Sequence, residues 1–205
     1  FQASIGVDIA TMLDVFTRPD MTSSEVEKAV RETAARAASS LEAAGDTMLN
    51  GPVQGGVFRE LRHISAELMA KHPFAIHPIG GIVPVMEQQR YKEYAKIMMA
   101  TLPLLPPSRP VHMFGCGHPM LFPMSIALGA DLFDSAAYAL FARDGRLLTP
   151  WGTERIDELV DWPLLMPCVA NFSPEEVRNM TSKEKERMLA HYNLEVTLAE
   201  LARCK

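Results

Sequence analysis

The sequence predicts an α/β protein built on a parallel sheet, and three observations carry that prediction. Short apolar runs recur through the first 134 residues, separated by longer segments with helical spacing. Each run ends in glycine, amide, aromatic or carboxylate residues. The connections are too long for hairpins, which leaves right-handed crossovers between parallel strands.

The elements follow in order. Val7–Leu13 is a short, mostly apolar run that reads as a buried strand and ends at Asp14. After a loop over Thr17–Asp20, Thr22-Ser23-Ser24-Glu25 fits a capping box, in which the hydroxyl accepts an orphan N–H and the Glu returns the bond. Alanines and charges carry that helix to about Ala44, with Gly45 as its stop. Met48–Val53 is the second strand, ending at Gln54-Gly55-Gly56, and Arg59–Lys71 is an amphipathic helix. Phe74–Ile79 is a strand ending at Gly80-Gly81, and Met86–Thr101 is a helix whose Met-rich stretch Tyr91–Met99 reads as core filler. A proline-rich connector over Pro103–Pro110 leads to strand Val111–Phe114, helix His118–Leu128 and strand Asp131–Phe133, which runs into Asp134. At Gly117-His118-Pro119 capping by His118 outweighs phosphate binding at the helix start. Beyond Tyr138, Asp144-Gly145 reads as a hairpin turn between Leu140–Arg143 and Arg146–Thr149. Ser173-Pro174-Glu175-Glu176 reads as a helix start, followed by a helix over Ser182–His191 and a third over Leu198–Cys204. The expected division is 1–153 for the sheet-based portion and 154–205 for a helical appendage.

Bulk properties exclude several classes. The chain of 205 residues is 48% hydrophobic and 22% charged, ordinary for a globular protein. No apolar run reaches the roughly 18 residues of a membrane span, and no signal-peptide pattern opens the chain, so the expectation is a cytoplasmic protein without membrane partners. Cys116, Cys168 and Cys204 are scattered and odd in number, which argues against a disulfide framework. Net charge is −5, so any RNA binding rests on a local patch or on help from another domain. Arg143, Arg146 and Arg155 are candidates for RNA phosphates, with solvated surface the equal alternative. The chain opens at Phe1-Gln2 with no Met, which reads as the middle of a fold.

In parallel α/β folds ligands sit off the carboxyl ends of the strands. Collecting those ends gives Asp14, Gln54, Gly80, Gly81, Phe114 and Asp134: two carboxylates, one amide, bare backbone and one aromatic. A closed barrel has eight strands. The five read here leave about three unaccounted for, or an open sheet.

The same residues lie within GVDIATMLD, PVQGG, IGGIV, HMFGCGHPM, ADLFDSAAYALFARDGRLLTPWGT and LAHYNL. Through these segments nearly the whole chain resembles the tRNA-guanine transglycosylase family, its archaeosine-type branch most closely. The resemblance implies a (β/α)8 TIM-barrel, here incomplete and lacking its first strands, with the C-terminal appendage matching a zinc-binding subdomain. It implies replacement of a guanine in tRNA by a 7-deazaguanine base, preQ0 in the archaeosine branch. Asp134 matches the nucleophile that attacks C1′ of the ribose. A carboxylate suits that role because it adds to an oxocarbenium-like carbon and leaves again. Asp14 matches the aspartate that grips the base, Gln54 and the Gly80-Gly81 backbone match the groups on its carbonyl edge, and Phe114 matches a stacking aromatic. The target base must first be flipped out of its helix.

Two departures from the family pattern matter. The family's acid/base aspartate falls before Phe1, which implies a missing N-terminal segment or a second chain that supplies it. The family's zinc is held by Cys-x-Cys-x2-Cys and a later His; here Cys168 and His191 remain, while Ala170, Asn171 and Ser173 stand near the other thiols. Two ligands do not close a tetrahedral structural site, so the expectation is no zinc or weak zinc, and no cofactor for the chemistry itself. Family members often pair through the zinc subdomain, which implies a homodimer. The alternatives are a non-catalytic partner that binds RNA or base beside a homologous active subunit, and insertion of 7-deazaguanine into DNA.

Overall fold

The computed structural model describes residues 1–204. The chain forms two compact units, one of residues 1–116 with 127–133, the other of 117–126 with 134 onward. Among the described residues no helix is long and apolar enough to cross a membrane.

The first unit is a mixed α/β array. Strands β1 (Ile9–Thr11) and β2 (Met48–Asn50) pair in parallel, as do β3 (His77–Ile79) with β4 (Val111–Met113) and β4 with β5 (Leu132–Phe133). Parallel bridges Asn50↔Ile76 and Val53↔Ile79 join β2 to β3, so the five strands lie side by side in chain order. Among the described residues they form an open array, with no closed barrel. Asp131 ties β4 to β5: its N–H donates to Val111 O at 2.9 Å and its Oδ2 accepts from Val111 N at 2.8 Å.

The helices match expectation in place but not always in extent. The run expected over Thr22–Ala44 is two helices, α1 (Ser23–Ala35) and α2 (Ala37–Ala44), interrupted at Arg36. Arg36 turns back to bond Leu13 O at 3.2 Å and the Glu32 carboxylate. The Thr22–Glu25 capping box is present. Helix α3 (Arg59–Ala70) packs on α1 through Val26, Val30 and Leu61. The helix expected over Met86–Thr101 is also two, α4 (Val83–Glu87) and α5 (Tyr91–Thr101), because Gln89 adopts φ 56° between them.

In the second unit His118 caps the turn at Pro119, accepting from Met120 N through Nδ1 while Nε2 meets Thr153 Oγ1 at 3.1 Å. Burial holds its pKa down at about 4, so the ring is a neutral cap. A 3-10 turn then leads into α6 (Phe122–Ala127). The hairpin expected around Asp144-Gly145 is a correction. Ala137–Arg143 is helix α7, started by Ser135 Oγ accepting from Ala137 N, and Gly145 at φ 68° ends it as a helix stop. The hairpin lies one element later, β6 (Arg146–Thr149) with β7 (Gly152–Arg155). Residues 137–153, grouped by sequence with the sheet, pack with the C-terminal helices. After α8 (Pro174–Arg178), the two helices expected beyond Ser182 are one, α9 (Ser182–Arg203), because no breaker separates them and Thr181–Glu184 caps the start.

One buried amide organises this unit. Asn193 on α9 accepts from Leu148 N at 2.7 Å and donates to Tyr138 O and Arg146 O at 3.0 and 3.1 Å. Its neighbour Tyr192 stacks on Trp162 at 5.3 Å and accepts from Leu164 N. Removing the amide strands a buried N–H and two carbonyls. Asn193→Ala is therefore expected to destabilise the protein by on the order of 2–4 kcal/mol in urea unfolding. A loss below about 0.5 kcal/mol would show that water replaces all three bonds.

Candidate active site

At the carboxyl ends of β1, β2 and β3 the chain brings together Asp14, Gln54, Gly80 and Gly81. Gln54 follows the Asn50–Val53 segment, which is bonded to the β3 segment through Gly51 N and Val53 N, and is 1% exposed. Its Nε2 donates to Asp14 Oδ2 at 2.5 Å. Its Oε1 accepts from Thr17 N at 3.2 Å and Thr17 Oγ1 at 2.7 Å. Thr17 Oγ1 accepts in turn from Gly56 N at 3.0 Å, and Gln54 N donates to Ser65 Oγ at 3.1 Å. The amide is thus fixed at both ends. Asp14 is half-buried, and its Oδ1 accepts from no group among the described residues.

The two glycines are required by this packing. A Cβ on Gly80 would lie 2.3 Å from Gln54 Nε2, and one on Gly81 would lie 2.5 Å from Thr17 O. Gly81 also holds φ 71°, which a side chain resists. Gly80 N–H is committed to Val53 O at 3.0 Å, so Gly81 N–H is the donor this turn has to offer.

Phe114 and Asp134, the other expected residues, follow the next two strands. Phe114 follows β4, half-buried and edge-on to His112 at 4.9 Å. Asp134 follows β5 directly, is exposed, and opens the second compact unit. Cys116 is buried with its Sγ 3.6 Å from Tyr94 OH.

Cys168 and His191 do come together, and Glu195 joins them. One donor atom from each lies within 4.8 Å of the others. His191 Nε2 is 3.4 Å from Glu195 Oε1, and Glu195 Oε2 accepts from Cys168 N at 3.1 Å. Burial and then the Glu195 carboxylate push the Cys168 thiol up to about 12. A structural zinc site takes four ligands, mostly thiolate and imidazole. One thiol, one imidazole and one carboxylate already bonded to backbone do not make that set.

Sequence reasoning missed Thr17, Ser65 and Glu195. Thr17 sits in a loop with no motif of its own, and its partners are 37 to 39 residues away. Glu195 was legible in principle, one turn after His191 on the same helix.

A family model described as "TGT: Queuine tRNA-ribosyltransferase" matches residues 1–205. The tRNA-guanine(15) transglycosylase of Methanococcus vannielii is 48% identical over 212 aligned residues, covering all of this chain and 33% of that protein. The proteins of that name from Methanocaldococcus jannaschii and Thermococcus kodakarensis are 47% and 44% identical, covering all of this chain and 32% and 35% of theirs. The chain spans about a third of the length of these curated relatives.

The hydroxyl of Thr17 bridges two buried polar groups that have no water-exposed alternative. Thr17→Val is expected to cost about 1–3 kcal/mol in urea unfolding, and Thr17→Ser to restore most of it. A loss in Thr17→Ser equal to that in Thr17→Val would show that the hydroxyl alone does not carry the effect.

Proposed function

The chain belongs to the queuine tRNA-ribosyltransferase family, and on that premise we propose that it carries the base-recognition and nucleophile segment of a cytoplasmic enzyme that exchanges a guanine of tRNA for a 7-deazaguanine base, preQ0 in the archaeosine branch. The observation that carries this reading is the fixed Asp14–Gln54 pair beside bare glycine backbone. A guanine-like edge offers N1–H and an exocyclic amine to a carboxylate. Asp14 keeps Oδ1 and a second lone pair on Oδ2 for them. The carbonyl edge of the base then meets the Gln54 amide and Gly81 N–H, and Phe114 supplies a stacking face.

Asp134 acts as the nucleophile. Its carboxylate forms a bond to C1′ as the C1′–N9 bond breaks, and guanine departs with the electron pair and a proton taken at N9. The glycosyl ester that remains is attacked by N9 of the incoming base, which gives up its proton as the carboxylate leaves. The general acid/base is the aspartate that the family places upstream of the segment matching Phe1. The five strands are an arc of a (β/α)8 barrel. Their sequential parallel order supports this, since a doubly wound sheet reverses order at a switch point. Ile9 on β1 and Leu132 on β5, 45% and 40% exposed, give both edge strands apolar surface for neighbours.

The helical appendage needs no zinc in this reading. The Asn193 and Tyr192 bonds and the apolar cluster of Leu147, Ile156, Val177 and Leu189 hold it together. A structural zinc contributes on the order of 10 kcal/mol. Chelation by EDTA is expected to leave the thermal midpoint unchanged; a fall of about 5 °C or more would assign structural work to a metal.

The exchange chemistry is tested by incorporation of radiolabelled guanine into tRNA by the full-length polypeptide. Asp134→Asn should lower exchange by at least about 10⁴-fold. Exchange near the native rate in that variant would remove Asp134 from the mechanism.

A further inference from the structure

Arg62 is a buried charge without a counter-charge among the described residues. It is 0% exposed, in the second turn of α3. Its Nε donates to Gly56 O at 2.9 Å and its Nη1 to Val53 O at 3.2 Å, while Nη2 meets no acceptor among the described residues. Burial alone draws its pKa down to about 9. Buried cations are ordinarily paired, because desolvation costs several kcal/mol per ion (roughly) and neutral carbonyls offset part of it.

Arg62 lines a cavity of about 420 Å³ together with Val57, Arg59, Lys96, Ile97 and Met99. That volume is within the range of small-ligand sites. The lining holds three cations and no acid. Among the described residues neither Arg59 nor Lys96 is in an ion pair, and Glu93, the acid that senses Lys96, is held by Arg90 through two bonds. By contrast Arg143, Arg146 and Arg155, read from the sequence as phosphate contacts or equally as solvated surface, face Glu186, Asp144 and Asp157. Helix α3 also begins here, with no side-chain cap at Phe58 and one acid, Glu60, in its first turn.

We propose that this cavity, between the start of α3 and the face of α5, is a phosphate-binding site in which Arg62, Arg59 and Lys96 hold the oxyanion. Three separated donors suit the tetrahedral oxygens of a phosphate better than the planar pair of a carboxylate. Free phosphate and the phosphodiester of a polynucleotide share that chemistry. The cavity lining shares no residue with the Asp14–Gln54 pair, and the site does not depend on base exchange.

The probe is inorganic phosphate, titrated into the protein and followed by calorimetry and by backbone amide shifts of α3 and α5. Saturable binding with shifts at Arg59 to Arg62 and at Lys96 is expected. Arg59→Gln and Lys96→Gln, both exposed and chosen because an Arg62 variant risks unfolding, should each weaken binding about tenfold. Single-stranded RNA that competes for the site marks a polynucleotide ligand; phosphate binding that RNA does not displace marks a free or small phosphorylated ligand. No saturable phosphate binding, or binding unchanged in both variants, would overturn the site.

Discussion

Gln54 has no freedom to turn its amide over. Thr17 N–H can only donate and the Asp14 carboxylate can only accept, so the oxygen must face Thr17 and the nitrogen must face Asp14. A flipped amide would set donor against donor and oxygen against carboxylate in a buried site, where each mismatch costs the full desolvation of the group. This bond chain joins loops after β1 and β2, and the bare backbone after β3 closes over it because a Cβ there would collide with Gln54 and Thr17. Three strand ends are thereby held in one arrangement before any ligand arrives.

The second unit solves a different problem with the same means. Asn193 and Tyr192, adjacent on α9, fasten a hairpin, a helix and an irregular segment to one long helix. Bonds to backbone from a buried amide and a phenol give this unit directional closure. The remaining donors, Cys168, His191 and Glu195, form a hydrogen-bonded cluster whose carboxylate is engaged with Cys168 N–H.

Much of the fold could be read from the sequence, and the failures have physical causes. Alternating apolar runs located all five parallel strands, and the capping signals at Thr22 and Ser173 marked true helix starts. Asp144-Gly145 misled because a glycine with positive φ serves a helix stop as well as a hairpin turn. The breaks at Arg36 and Gln89 escaped because neither residue is a breaker by propensity, and at Arg36 a tertiary bond to Leu13 O lies at the break. The candidate site was legible residue by residue at Asp14, Gln54, Gly80 and Gly81, yet its organising hydroxyl, Thr17, was not. A threonine in a loop carries no local pattern, and its importance comes from contacts made across the sheet. Arg62 was hidden likewise, since an arginine on an amphipathic helix is ordinarily read as solvent-facing.

The proposed reading of the Asp14–Gln54 pair is tested most directly by comparing equilibrium binding of guanine and hypoxanthine, which differ by the exocyclic amine, to the native protein and to Asp14→Asn. Guanine should bind the native protein about tenfold or more tightly than hypoxanthine, with the preference lost in the variant. Equal affinity of the native protein for both bases would contradict recognition of a guanine-like edge by Asp14.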